Sequence, residues 1–251
     1  MENKQMKIEG AVALVTGANG GIGKEYVEAL RTAGAARIYA CARKVEALTE
    51  IVSLDRERII PIQLDITNEQ SVKDAAIQCQ DVTLLINNAG VGFNKGLIAA
   101  SDLTSARAEM EINYFGTLAM CRAFAPILKS NGGGAIVNML SILALVNIPF
   151  NGSYSASKAA ALSMTQGVRA ELAAQGTQVV SVMPGTVDTP MSKDYPPPKV
   201  SPAVVASSAL QAVRDGVEDV YPGDQAVEFA TRLASDPKAV EKQLAQMLPS
   251  S

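Results

Sequence analysis

No histidine occurs in the 251 residues of this chain. That absence excludes a Ser-His-Asp hydrolase, a Cys-His enzyme and any histidine-ligated metal site. Tryptophan is also absent, and aromatic residues make up only 4% of the chain, too few for the stacking surfaces that bind bases. The net charge is −3 with no basic block, so nucleic acid is not an expected partner. The three cysteines, Cys41, Cys79 and Cys121, match no metal or redox spacing, and their odd number fits a reducing cytoplasm. No apolar run reaches the roughly 18 residues of a membrane helix. The opening "MENKQMKIEG" is charged where a secretory signal would be apolar. The expectation is a cytoplasmic protein without a metal and without a membrane segment.

What is present is a regular alternation. Short apolar runs at 11–17, 37–42, 58–65, 82–90, 134–141 and 177–185 read as strands. Between them lie helical patterns at 21–33, 45–53, 68–79, 103–129 and 153–175, with further helices at 201–217 and 224–247 around a short strand at 219–223. Strands that are apolar throughout are buried on both faces, as in a parallel sheet covered by helices. Pro61 suggests an edge position or an irregular start for the third strand. There is no internal repeat or long linker, so a single domain spanning 1–251 is expected. The Pro-rich stretch "SKDYPPPKVSP" suggests a lid over a site, within about 186–217.

The first strand runs into "VTGANGGIGKE", where Gly17, Gly21 and Gly23 open a helix. Glycines there let the backbone approach a pyrophosphate, and the helix N-terminus offers free N–H groups. A merely tight turn is the plain alternative, but strand before and helix after is the context a dinucleotide site needs. Farther along, Tyr154 and Lys158 stand one helical turn apart in "GSYSASKAAAL". In isolation they read as an ordinary tyrosine and an ordinary lysine on an Ala-rich helix.

Five motifs together change that reading. T-G-x-x-x-G-I-G at 16–23, N-N-A-G at 87–90, Ser141, Y-x-x-x-K at 154–158 and P-G at 184–185 stand in this order. In this the chain resembles the short-chain dehydrogenase/reductase family from about residue 10 to residue 191. The resemblance implies a Rossmann-type, doubly wound α/β fold with about seven parallel strands in the order 3-2-1-4-5-6-7 and helices on both faces. It implies a cofactor site built from Gly17, Asn19, Gly21, Ile22 and Gly23, with Asn88, Ala89 and Gly90 against the adenosine ribose. Asp65 matches the acid that contacts the adenine amino group, with Ile66 beside it, although a strand-end helix cap is the other reading of Asp65. Pro184, Gly185, Val187 and Thr189 match the loop around the nicotinamide, where the alternative is a plain turn.

The same resemblance makes Asn113, Ser141, Tyr154 and Lys158 the catalytic set, with Asn113 holding a relay water, although a surface asparagine is the other reading of Asn113. The residue types suit the chemistry. Reducing a carbonyl needs a proton at oxygen, and tyrosine is a weak acid that a neighbouring ammonium is expected to strengthen. A serine hydroxyl can polarise the substrate oxygen, and Lys158 would also hold the ribose hydroxyls. Histidine is not needed.

NAD-type members carry an acid where Ala42 stands. Here Arg43 follows instead, and a guanidinium suits a 2′-phosphate, so NADP(H) is expected over NAD(H). Gly20 stands where NADP-preferring relatives often have a second basic residue, and Arg43 also reads as a solvated surface charge. The substrate pocket is expected from 91–94, 143–150 and 185–198, with Phe93, Leu143, Val146, Ile148 and Phe150 making it apolar, although core or interface is the other reading of some of these residues. The expected reaction is hydride transfer between nicotinamide and a hydrophobic ketone, aldehyde or secondary alcohol. A noncatalytic NADP-binding sensor on the same fold is the alternative, and a methyltransferase is opposed by Y-x-x-x-K. Homodimers or homotetramers are expected through the helices at 103–129 and 153–175. The latter carries Ala156, Ala159, Ala160, Ala170, Ala173 and Ala174, whose internal burial is the competing explanation.

Overall fold

Runs such as Val12–Thr16 and Leu84–Asn87 offer water no polar face, so the strands they form need cover on both sides. The computed structural model describes residues 6–249. Part of the charged N-terminal segment, residues 1–5, therefore lies outside the described residues. Seven strands form one sheet: β1 Val12–Thr16, β2 Arg37–Ala42, β3 Ile59–Gln63, β4 Leu84–Asn87, β5 Gly134–Met139, β6 Thr177–Val182 and β7 Asp219–Val220. All pairings are parallel, in the order β3-β2-β1-β4-β5-β6-β7. This is the Rossmann-like α/β fold. Pro61 lies on β3, the edge strand, where its missing N–H costs no ladder bond.

Successive residues of each strand enter opposite cores. Ala13, Val15 and Ile86 pack with Tyr26 and Leu30 of α1 (Gly21–Thr32) and with Val205 and Leu210 of α7 (Pro202–Asp215). Leu14, Leu85 and Ile136 pack on the other face, against α3 (Glu69–Gln78), α5 (Thr117–Ser130) and α6 (Gly152–Leu172). Polar residues on that face pair with one another. Asn87 Nδ2 donates to Asn138 Oδ1 at 2.8 Å, and Asn138 Nδ2 donates to Thr165 Oγ1 at 3.0 Å.

Three elements differ from the expected pattern. Residues 45–53 form a 3₁₀ turn, Val45–Leu48, followed by the short helix α2, Thr49–Ser53. The region 103–129 is α4 (Thr104–Met110), a π-turn (Glu111–Gly116) and then α5. The tail is broken into α8 (Asp224–Ser235) and α9 (Pro237–Leu244). Pro237 has no N–H to continue a helix, and Asp236 Oδ1 accepts from Ala239 N–H at 2.9 Å, which caps a new one.

The strands all end at one edge of the sheet, and the chain order reverses between β1 and β4. Ligands of such sheets bind at that edge, beside the reversal.

Candidate active site

The turn after β1 is shaped by close approach. A Cβ on Gly23 would lie 2.1 Å from the Gly17 carbonyl oxygen and 2.7 Å from Asn88 Nδ2, so only glycine fits. Gly17 and Gly21 have φ of 65° and 51°, in the left-handed region. The first turn of α1 carries no acid and no side-chain cap. Gly20 and Gly21 at this helix start line the cleft, an arrangement suited to an anion. Asn19 and Ile22 line the same cleft.

The end of β4 is tied to this turn. Asn88 Nδ2 donates to the carbonyls of Thr16 and Gly17, at 2.9 and 3.2 Å. The N–H groups of Asn88 and Ala89 both donate to Thr16 Oγ1, at 2.9 and 3.0 Å. A Cβ on Gly90 would lie 3.1 Å from Asn113 Oδ1 and 3.4 Å from Lys158 Nζ, so glycine keeps the floor of the cleft open. Asp65 and Ile66 line the cleft after β3. Asp65 Oδ1 also accepts from Thr67 N–H at 3.0 Å, a turn at the start of the loop, while Asn68 is the true cap of α3. Arg43, after β2, lines the far end with an exposed side chain and no ion pair among the described residues. Pro184, Gly185, Val187 and Thr189 form the opposite wall, and a Cβ on Gly21 would touch Thr189 Cγ2 at 3.4 Å.

Ser141, Tyr154 and Lys158 meet at the end of β5. Ser141 Oγ accepts from Leu143 N–H at 3.2 Å, which leaves its own proton to donate. Lys158 is 5% exposed, and its Nζ donates to the Met139 carbonyl at 2.8 Å. It lies 5.7 Å from the Tyr154 ring centroid. Burial pushes the Lys158 ammonium down to about 8. Burial pushes the Tyr154 hydroxyl up to about 12, an effect that Ser141 beside it partly offsets. The expected strengthening of Tyr154 by Lys158 is not seen here: desolvation dominates, and the group that lowers the hydroxyl is Ser141. Asn113 sits on the π-turn with its side chain fully engaged. Oδ1 accepts from Val91 N–H, and Nδ2 donates to the Val91 carbonyl and to Ser157 Oγ, each at 2.9 Å.

The short-chain dehydrogenase family model matches residues 11–199. The chain belongs to the short-chain dehydrogenase/reductase family. A short-chain dehydrogenase from Burkholderia cenocepacia J2315, solved in complex with NADP, is 50% identical with a TM-score of 0.91, covering 95% of this chain and 99% of that one. Short chain dehydrogenase mpl6 of Monascus purpureus is 35% identical over 202 residues, 76% of this chain and 69% of that protein. Dehydrogenase/reductase SDR family member 7B of Xenopus tropicalis is 33% identical over 198 residues, 74% of this chain and 63% of that protein. The chain thus spans less than two thirds of this last relative's length. It is an NAD(P)-dependent oxidoreductase of this family.

The cleft this short-chain dehydrogenase presents has a volume of about 950 Å³. Leu143, Ile148 and Phe150 line it as expected. Val146 instead packs with Val240 and Leu244 in a small satellite core. Phe93 is 42% exposed and does not line the cleft, while its neighbours Gly92 and Asn94 do. Of the stretch expected as a lid, 186–198 borders the cleft, and Tyr195 packs edge-on against Phe150 with its hydroxyl on Asn94. Residues 202–215 are α7, whose Val205, Ala209 and Val213 are buried in the core. Sequence reasoning missed Gln225, Phe229, Gln243, Leu244 and Met247, which α8, α9 and the segment after them bring to the cleft. A helix at 224–247 was expected, but not where it would dock. No described helix is long and apolar enough to cross a membrane.

Two glycines of the turn, Gly20 and Gly23, should respond differently to alanine. Gly23→Ala forces its Cβ onto the Gly17 carbonyl; it should cost about 1–3 kcal/mol of stability and abolish NADPH binding. Gly20→Ala meets nothing within 4 Å and should preserve both. Thermal melts and NADPH fluorescence titrations check the contrast; equal behaviour of the two variants would refute this account of the turn.

Proposed function

We propose that this protein is an NADP(H)-dependent carbonyl reductase or alcohol dehydrogenase, acting on a hydrophobic ketone, aldehyde or secondary alcohol. The observation that carries the reading is the convergence of Ser141, Tyr154 and Lys158 beside a glycine-lined cleft with Arg43 at its far end. The glycine turn, Asn88–Gly90 and the 184–189 loop would hold the dinucleotide. Bound NADPH would supply the hydride that reaches the carbonyl carbon. Ser141 donates to the carbonyl oxygen and polarises it. Tyr154, fully protonated at neutral pH because its pKa is about 12, gives that oxygen its proton. Lys158 offsets the negative charge left on the phenolate and can use its remaining protons on the ribose hydroxyls. With the Asn113 side chain taken by Val91 and Ser157, a relay water would meet its backbone carbonyl on the π-turn.

Arg43 favours NADP(H), since its guanidinium has no competing carboxylate and no acid replaces Ala42. The 50% identical Burkholderia cenocepacia protein was solved with NADP, which supports the same preference. The apolar walls favour an uncharged substrate. We further propose one domain, a cytoplasmic setting and a homodimer or homotetramer. Phe115 on the π-turn is 51% exposed, and Ala156, Ala159, Ala170, Ala173 and Ala174 are exposed rather than internally buried, which supports such packing.

Tyr154→Phe should lower kcat about 10²–10⁴-fold and leave NADPH affinity nearly intact. A panel of ketones and aldehydes, followed by loss of NADPH absorbance, tests this; near-normal turnover in the variant would sink the assignment. Arg43→Ala should weaken NADPH about 10- to 100-fold and leave NADH unchanged, as loss of a charge-assisted bond requires. Equal losses for both cofactors would remove Arg43 from this role. Lys158 is an ammonium below its pKa of about 8 and neutral above it. The kcat/KM for NADPH should therefore be level below about pH 8 and fall above it. A profile level to far higher pH contradicts a working ammonium there.

A further inference from the structure

Glu109 has no exposed surface, although it is a carboxylic acid. It lies on α4, one turn before Asn113, and the chemistry above does not use it. Burying such a group is costly unless hydrogen bonds replace its water. Its Oε1 accepts from Phe93 N–H at 2.8 Å, while its Oε2 has no partner.

The bond from Phe93 belongs to a pattern. Val91 N–H donates to Asn113 Oδ1, and Phe93 N–H donates to Glu109 Oε1. Residues four apart on a helix are separated by about 6 Å along its axis. Residues two apart on an extended chain are separated by about 6.6 Å. The spacings match, so one helix face takes alternate N–H groups of the 91–93 segment. Gly92 lies between the two anchors and rests on Tyr154. A Cβ there would be 3.1 Å from Tyr154 Cδ2 and 3.4 Å from Cε2. The backbone thus lies against the ring, and a methyl group there would have to push the ring aside by a few tenths of an ångström.

We propose that Glu109 is a positioning residue, whose carboxyl anchors Phe93 N–H and so holds Gly92 as the backing surface of the Tyr154 ring. It touches neither substrate nor cofactor and acts through the 91–93 backbone. Asn113 supplies the second anchor. A phenol that must deliver its proton along one line tolerates little ring rotation, and Gly92 limits that rotation. The proposal rests on Tyr154 being the proton donor.

The test compares Glu109→Gln, which keeps an acceptor for Phe93 N–H, with Glu109→Leu, which removes it. The probes are NADPH and the apolar diketone benzil. Glu109→Leu should lower kcat at least about tenfold, with NADPH affinity within about threefold of wild type. Glu109→Gln should restore most of that loss. Hydrogen exchange of the peptide covering 90–95 should be at least about tenfold faster in Glu109→Leu and near wild type in Glu109→Gln. Gly92→Ala attacks the same contact from the other side and should lower kcat without lowering the melting temperature, so it serves if Glu109→Leu does not fold. Wild-type turnover in Glu109→Leu or Gly92→Ala would overturn the proposal, and so would a Glu109→Gln variant as impaired as Glu109→Leu. If wild type reduces no carbonyl, the proposed reaction fails on its own, and unchanged exchange at 90–95 in Glu109→Leu still overturns the anchor.

Discussion

The bond from Asn88 Nδ2 to the Thr16 and Gly17 carbonyls is the constraint on which the cleft depends. It joins the end of β4 to the end of β1, the two strands between which the sheet reverses its order. Buried carbonyls without partners are destabilising, so the amide both satisfies them and fixes the turn. Thr16 Oγ1 completes the seam by accepting two N–H groups from the other strand. Gly23 then lets α1 sit directly on Gly17, which points the helix N-terminus into the cleft. The proposed anion site is thus a consequence of two strand ends held in register, not of glycine flexibility alone.

Burial acts on the two central groups in opposite senses. It drives Tyr154 and Lys158 each toward its neutral form, tyrosine up to about 12 and lysine down to about 8. A proton leaving Tyr154 would create an anion where burial disfavours one most. The Lys158 cation lies 5.7 Å from the ring centroid, yet its Nζ is held by the Met139 carbonyl rather than by the tyrosine. The same low dielectric that weakens each group alone strengthens their mutual attraction. Geometry that keeps ring and ammonium in place therefore matters as much as either pKa, which gives the Gly92 backing surface its consequence.

The sheet was legible because β1, β4 and β6 are apolar runs that admit no exposed face. The motif residues were legible because each serves a local need, a turn at Gly17 or one helical turn between Tyr154 and Lys158. What was not legible depended on packing between distant segments. Glu109 reads as one more charge on a helix until Phe93, sixteen residues away, is seen to donate to it. The π-turn at Glu111–Gly116 has no local signature, although it sets the height at which Asn113 meets Val91. The break at Asp236–Pro237 did have a local signature, an Asp cap before a Pro, and the continuous amphipathic pattern obscured it. Phe93 and Val146 are apolar residues in the right segments, but only the fold shows that they point away from the cleft.

The division of the cleft bears on what it accepts. Every group proposed for proton or cofactor work lies within residues 11–199, the span the family model matches. Part of the apolar wall comes from Phe229, Leu244 and Met247, which lie beyond that span. α8 and α9 pack on the loop 143–150 through a small core of their own, separate from the two cores that hold the sheet. A change in that satellite core can reshape the wall without disturbing the strand ends that hold the proposed catalytic residues. Substrate selection can therefore vary in α8 and α9 while the strand ends stay fixed. This separation also explains why motifs that point to the reaction class say little about the substrate.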